Sequence, residues 1–412
     1  MFFNLKLKDY FFLSIFSLLP VTILIGPAIS LINILLITLS FLVIFYKKLF
    51  FYILNERIII ILCILYSYLI FNTFISIDFE SSFLRNFGFI RYIILFIAIN
   101  FFFLNFENLK FIINFWIFVI FVVLFDVIFE AYNGYNILGF VSENKKRVVS
   151  FFKDQQVIGA FINGFVFVII GFFFRNFDKK AKLQKVLIFS FVLVTLMCLI
   201  LTGERSNTIK LFLGLIIFFY LNNKITFNYK IFFLFSGLCI FIFIITISGE
   251  VRHRYNNDII IKLSNIEKRN NYIYFQLYKS GFEVFKRYPI LGAGNKNYRV
   301  EACKKSDDED KKILCITHPH QIYLELLSEH GIIGTLIILI ILFYLIFKNL
   351  KIILKKNNSI QIGCFSYLIV NFIPILPGGS FFADFNSNFF WINLSLLYAS
   401  SPNTNVFKRL SN

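Results

Sequence analysis

Charge is scarce in this sequence. Of its 412 residues, 16% are Asp, Glu, Lys or Arg, 58% are apolar, and the mean hydropathy is +0.77. A water-soluble chain of this length cannot cover so much apolar surface. A soluble globular fold is thereby excluded, and lipid is the solvent that removes the difficulty. Acidic residues are scarcest, 23 against 41 basic ones, a net charge of +18. In a soluble protein that excess would suggest nucleic acid. Here the basic residues sit in short gaps between apolar runs, where they orient the chain in a bilayer, so membrane lipids and no nucleic acid are the expected partners. A small-residue cleavage site is lacking after the apolar start at Phe11. That stretch is expected to stay as an anchor.

Two residue types need separate comment. Phe occurs 60 times, which reads as a biased choice among apolar residues and carries no function. Of the six cysteines, Cys63, Cys198, Cys239 and Cys364 lie in apolar runs and read as packing residues. Cys303 and Cys315 share a polar segment.

A helical span needs roughly 20 mostly apolar residues. The apolar runs predict about twelve spans, near 10–28, 29–46, 58–76, 87–104, 111–131, 157–174, 185–201, 207–221, 231–248, 331–347, 360–376 and 387–400. The expected fold is an all-α polytopic bundle in three parts. Residues 1–248 hold nine spans, 249–330 form a large, partly helical loop, and 331–412 hold three more spans and a tail. Lys6, Lys8, Lys47, Lys48, Arg57, Arg175, Lys179, Lys180, Lys182, Lys185, Lys224, Lys230, Lys348, Lys351, Lys355, Lys356, Lys408 and Arg409 then share one side, which reads as cytoplasmic.

The other side carries the informative segments. The stretch 132–156 holds Lys145, Lys146, Arg147 and Lys153, an excess of positive charge that an anionic ligand or simple solvation would explain. Residues 270–288 read as an amphipathic helix, with Tyr274, Leu277, Tyr278, Gly281, Phe282 and Phe285 on one face and Pro289 as its stop. Lys304 to Lys312 read as a solvated excursion bracketed by Cys303 and Cys315. A disulfide between those two is expected on the non-cytoplasmic side, two free thiols being the other reading. Asp126 and Glu130 stand one helical turn apart inside an apolar run, and a structural role is expected for them.

Arg147, Arg205 and Arg269 can together clamp a diphosphate, because a guanidinium is always charged and offers forked donors. Ser206 and the free amides of a helix start add neutral donors. Taken singly, each arginine also fits headgroup snorkelling. His320 is expected one step inside a helix, after Pro319 in its first turn, with Thr317 or His318 near the cap. A neutral imidazole there can take a proton from a hydroxyl, or simply hydrogen-bond a headgroup.

Four blocks carry a family resemblance, strongest over about 140–335. HPHQIYLELLSEHGIIG, with His320, resembles the His-Asn-x-Tyr-Leu and Glu-x-Gly-x-x-Gly blocks of the O-antigen ligase and O-antigen polymerase superfamily of bacterial inner-membrane glycosyltransferases. LTGERS resembles its Thr-Gly-Ser-Arg pattern, with Arg205 at the key arginine. RYPILGAG resembles its Pro-x-x-Gly-x-Gly block, with Arg269 upstream. DVIFEAYNGYNILG, followed by Arg147, resembles the segment before the sixth span. Gln321 departs from the usual Asn, and Glu204 replaces the usual Ser, which sets an acid beside the anion clamp.

The resemblance implies glycan transfer from undecaprenyl diphosphate to a hydroxyl acceptor at the periplasmic face, inverting, with no metal and no cofactor. Arg205 and Arg269, with Arg147 and Ser206, would hold the diphosphate. His320 would be the base, and His318, Tyr323 and Glu329 would support it. The acceptor stays open among lipid A core, a growing glycan and a protein hydroxyl. A small-solute transporter is the reading from another class, and it fits poorly because transporters gather their polar groups near the midplane.

Overall fold

The computed structural model describes residues 7–141, 147–153, 155–255, 272–304 and 313–407. Among the described residues every regular element is a helix. Seven helices are long and apolar enough to cross a bilayer: Pro27–Phe45, Arg57–Phe74, Phe79–Phe102, Phe106–Asn133, Lys182–Leu201, Phe227–Ile247 and Ile322–Lys356. The pair Lys8–Ser17 and Leu19–Ile25, bent by 44°, makes eight if counted as one span.

The expected count of about twelve goes beyond this. A helix does stand at each expected position, but Ile158–Phe173, Arg205–Leu221, Ser359–Val370 and Asp384–Ala399 have 16, 17, 12 and 16 residues. At 1.5 Å per residue each falls short of a 30 Å hydrocarbon layer. Their position explains how short helices persist. Ile158–Phe173 is buried along almost its whole length and packs on Ser359–Val370 and Asp384–Ala399. At that crossing a Cβ on Gly363 would stand 2.1 Å from the Phe167 carbonyl oxygen, so only glycine lets the two backbones approach. Phe227–Ile247, in contrast, buries only Phe233, Gly237 and Ile244 within the protein, as suits a helix facing lipid.

Local sequence sets several helix ends. The Asn105 side chain accepts from the Glu107 amide at 3.0 Å, and Gly134 closes the same helix in the left-handed conformation. Asn358 accepts from the Ile360 amide at 3.1 Å.

Two ends of the bundle differ in character. At one, Asn222 donates to Ser359 at 3.0 Å and Ser359 to the Phe174 carbonyl at 3.3 Å. This joins the segments that carry Arg175 to Lys185, Lys224 and Lys348 to Lys356. The other end gathers 76–86, 134–141, 147–153, 203–206, 254–255, 272–304, 313–330 and 371–384 through the contacts described below.

The amphipathic helix runs Ile273–Arg287, and its buried side chains are Leu277, Ser280, Gly281 and Val284. Phe282, expected on that face, is exposed. The reason is close packing of Gly281 under the side chains of Pro319 and Leu324, which a Cβ there would meet at 2.8 Å and 3.2 Å. Ser280 and Val284 therefore flank the contact, and Phe282 turns away. Cys303 and Cys315 are joined as a disulfide with their Cα atoms 4.5 Å apart. The excursion they bracket, from 305 to 312, lies outside the described residues, as do Lys6, Lys145, Lys146, Lys408 and Arg409.

Candidate functional site

The long helix expected to start near 331 begins at Ile322 and continues to Phe347. Its cap is Gln321, whose side-chain oxygen accepts from the Leu324 amide at 2.7 Å. This corrects the placement of His320 inside a helix and of Pro319 in its first turn. Gln321 captures the first free amide, so the helix starts one residue after it. His320 stands just before the cap with a φ of 56°, a left-handed conformation that costs a non-glycine residue on the order of 1 kcal/mol. Something must hold it there, and the structure shows what does.

The holder is residues 371–383, between Ser359–Val370 and Asp384–Ala399; the expected span 360–376 placed 371–376 in a helix, but that helix ends at Val370. The Gly378 amide donates to the His320 carbonyl at 2.9 Å. The Gln321 amide group donates to the Pro374 carbonyl at 2.6 Å, and the Tyr323 hydroxyl to the Phe372 carbonyl at 2.7 Å. The Ser206 hydroxyl, at the start of Arg205–Leu221, donates to the Pro377 carbonyl. On the far side, Ser380 donates to Glu325 at 2.5 Å, and the Phe381 amide to its other oxygen at 3.0 Å. The segment thus straps the start of the arginine-bearing helix to the histidine turn. Its signal in the sequence was the Pro-Gly-Gly run at 377–379 between two apolar stretches.

Around His320 the side chains are polar and half-buried. His318 and His320 have ring centroids 4.0 Å apart, and Tyr274 meets His320 edge-on at 6.4 Å. Thr317 bonds the His318 ring at 3.0 Å. Burial holds the His318 imidazole well down, at about 4, with the neighbouring His320 adding to the effect. Burial also lowers the His320 pKa, offset in part by hydrogen bonding of the ring to the Gly378 backbone. Both rings are therefore neutral near pH 7, the state a general base requires. Arg85, on Phe79–Gly88, lies in electrostatic range of His318, Glu325 and Glu329. It was not expected from the sequence.

The arginines collect on the neighbouring flank. Arg205 donates to the Arg254 carbonyl at 2.9 Å and to the Tyr272 hydroxyl at 3.4 Å. Arg254 itself packs over Gly203, 3.0 Å from where a Cβ would be. Glu204 lies between them and Arg147. Its carboxylate accepts from the Gly159 amide at 3.0 Å and from Asn207 at 2.6 Å. Burial pushes the Glu204 pKa up to about 7, while those hydrogen bonds and the charges of Arg147 and Arg254 pull the other way. Arg147 donates to Gln156. Arg269 lies outside the described residues.

Among the described residues, Asp126 and Glu130 support this flank through loop amides and the Ser150 hydroxyl, and no arginine bonds to them. Asp126 accepts from the Ile137 amide at 2.8 Å and from the Ser150 hydroxyl, and Glu130 from the Val149 and Ser150 amides at 3.1 and 2.6 Å. They tie down the turn that presents Arg147.

Glu329 sits deeper, at a break in the long helix. Gly331 has φ 62°, and the Pro-x-x-Gly-x-Gly block crosses the helix there. Ile332 and Ile333 donate to the carbonyls of Pro289 and Ile290, and Ala293 and Gly294 to those of Ser328 and Glu329. Tyr298 donates its amide to the Glu329 carboxylate at 3.3 Å. The two glycine blocks are thus the two halves of one backbone crossing. Next to it, Asn72 accepts from the Asn295 amide at 2.8 Å, joining the crossing to Arg57–Phe74. Tyr323 acts on the strap and Glu329 on this crossing. The cavity of about 260 Å³ lined by Phe106, Lys110, Arg175 and Lys180 is at the opposite, basic end and touches none of these residues.

Arginine, serine and histidine are thus brought to one end by a strap, and they fall in a stretch that a known family's model matches. Residues 189–339 match the O-antigen ligase family model. The match supports the O-antigen ligase and polymerase superfamily and includes Arg205, Ser206, His320 and both glycine blocks. Arg85, Arg147 and the strap lie outside the O-antigen ligase match. No curated protein matches the chain.

Proposed function

We propose that this chain transfers a glycan from undecaprenyl diphosphate to a hydroxyl acceptor at the periplasmic face of the bacterial inner membrane. The O-antigen ligase match supports a glycosyltransferase-type enzyme of polysaccharide biosynthesis. The observation that carries the finer reading is the strap, which ties Ser206, next to Arg205, and His320 to two adjacent residues, Pro377 and Gly378.

In this reading Arg205, with Arg269 and Arg147, grips the donor diphosphate through charge-assisted bonds. His320, neutral at ambient pH, accepts the proton of the acceptor hydroxyl. The hydroxyl oxygen attacks the anomeric carbon, and the bond from that carbon to the phosphate oxygen breaks. Its electron pair leaves with the diphosphate, whose growing charge the arginines stabilise. A single displacement inverts the anomeric centre. No residue of this scheme needs a metal. Lipid A core, a growing glycan and a protein hydroxyl all satisfy the acceptor role.

The test is transfer of a defined glycan from a lipid diphosphate donor in nanodiscs, with chelator present, alongside donor binding. Arg205→Ala is expected to weaken donor binding and transfer together. His320→Ala is expected to keep donor binding and to cut transfer by roughly 10²–10⁴-fold, with His318→Ala doing less. Near-normal transfer by His320→Ala removes the base assignment. A reporter fused after Asn228 is expected to read cytoplasmic and one fused after Asp308 periplasmic; the reverse would invert the site and sink the scheme.

A further inference from the structure

Lys210 stands apart from the cations described so far. It lies on Arg205–Leu221 four residues after Ser206, so both side chains leave one face of that helix. Both reach the strap. Ser206 bonds Pro377, and the Lys210 ammonium donates to the Asn371 side-chain oxygen at 3.3 Å. Among the described residues that neutral amide is its hydrogen-bond partner, and no carboxylate pairs with it. An ammonium in an apolar helix layer without a counter-charge is expensive and marks a ligand path more often than a packing site.

A second observation falls at the same place. A Cβ built on Gly378 would find the Lys210 ammonium nitrogen at 3.5 Å and no other atom within 4 Å. At Gly379 next door, a Cβ would stand 2.3 Å from Asn386. The space before Gly378 is therefore an open slot. A cation forms one wall, and the other is the peptide whose amide holds the His320 carbonyl.

We propose that Lys210 binds the lipid-side phosphate of a prenyl diphosphate in this slot. The inference rests on the reading of the site as a lipid-diphosphate transferase. Lys210 shares the strap-facing side of its helix with Ser206, one helical turn before it and next in sequence to Arg205, so an anion in the slot lies within about one turn of the arginine. Arg205 begins the helix at the site end, while Lys210 lies one turn further along it, toward the apolar part of the bundle. Arg205 then takes the glycan-side phosphate and Lys210 the lipid-side one. When the carbon–oxygen bond to the glycan breaks, the electron pair stays on the diphosphate and the acceptor proton on the base. Lys210 carries part of the added charge. A point charge suffices for that, since no forked geometry is needed.

The experiment measures binding of glycan-free prenyl diphosphate and prenyl monophosphate to the full-length protein in nanodiscs. Wild type is compared with Lys210→Met, Lys210→Arg, Gly378→Ala and Arg205→Ala. Lys210→Met keeps the length of the side chain and removes the charge. It is expected to keep the wild-type melting temperature and to lose roughly tenfold or more in diphosphate affinity. Gly378→Ala, which partly fills the slot, is expected to lose several-fold, and Lys210→Arg to retain part. Wild-type affinity in both Lys210→Met and Gly378→Ala, with Arg205→Ala weakened, would overturn the role of Lys210 and leave the transferase reading intact. Failure of wild type itself to bind prenyl diphosphate would overturn the transferase reading, and the role of Lys210 with it.

Discussion

The carbonyl of His320 accepts the amide of Gly378 at 2.9 Å, across 58 residues of sequence and three helices. This bond faces a left-handed turn at His320, and the strap is what keeps the turn populated. Conformational cost at one residue is thus met by a segment distant in sequence.

The strap predicts a class of variants that slow transfer without touching the donor. Tyr323→Phe removes the bond to Phe372, and Gln321→Ala removes both the bond to Pro374 and the helix cap. Each lost bond costs about 1 kcal/mol. Steady-state kinetics are expected to show kcat reduced several-fold, more for Gln321→Ala, with donor binding unchanged. Equal loss of donor binding would mean that the bonds to Pro374 and Phe372, and not the slot at Gly378 alone, shape the donor site.

Glu204 predicts how donor binding depends on pH. Its carboxyl is held up to about 7, so below that pH it is largely neutral and leaves the field of Arg147 and Arg254 to the diphosphate. Above pH 7 it ionises and competes with the donor. Donor affinity is expected to fall as pH rises through 7 and to flatten in Glu204→Gln. The same shift has a consequence for stability, because a raised carboxyl favours folding most below its unfolded value of 4.5. That contribution is lost as pH rises through about 7. Binding titrations and melting curves from pH 5.5 to 8.5 check both; a pH slope retained in Glu204→Gln would assign it to another group.

The backbone crossing predicts which glycines cannot change. Gly292 has φ 78° and a Cβ there would stand 2.3 Å from the His330 amide nitrogen; Gly331 has φ 62° and would meet the Ile290 carbonyl oxygen at 2.3 Å. Gly292→Ala or Gly331→Ala is expected to destabilise by more than about 1 kcal/mol, through strain plus collision. Gly249→Ala, with open space around it, is expected to leave the melting temperature unchanged. Equal melting temperatures for all three would remove the crossing as a stability element.

What the sequence determined alone is largely what depends on solvent and on local pattern. Apolar runs separated by basic gaps require a helical bundle in lipid, because backbone groups have no other partner there. Period and breakers locate the helices within a few residues, and the four motif blocks point to one end of the bundle, where the structure brings their described residues together. Tertiary structure decided the rest. Whether His320 falls inside or before a helix turned on Gln321 reaching the Leu324 amide first and on Gly378 being close enough to hold the turn. The roles of Asp126 and Glu130 depended on which loop amides folded back to them. Arg85, Tyr274 and Lys210 entered the site only because distant segments pack there. No period or spacing encodes such meetings, since they arise from close approach at residues such as Gly281 and Gly363, and that approach is a property of two packed segments and not of either sequence.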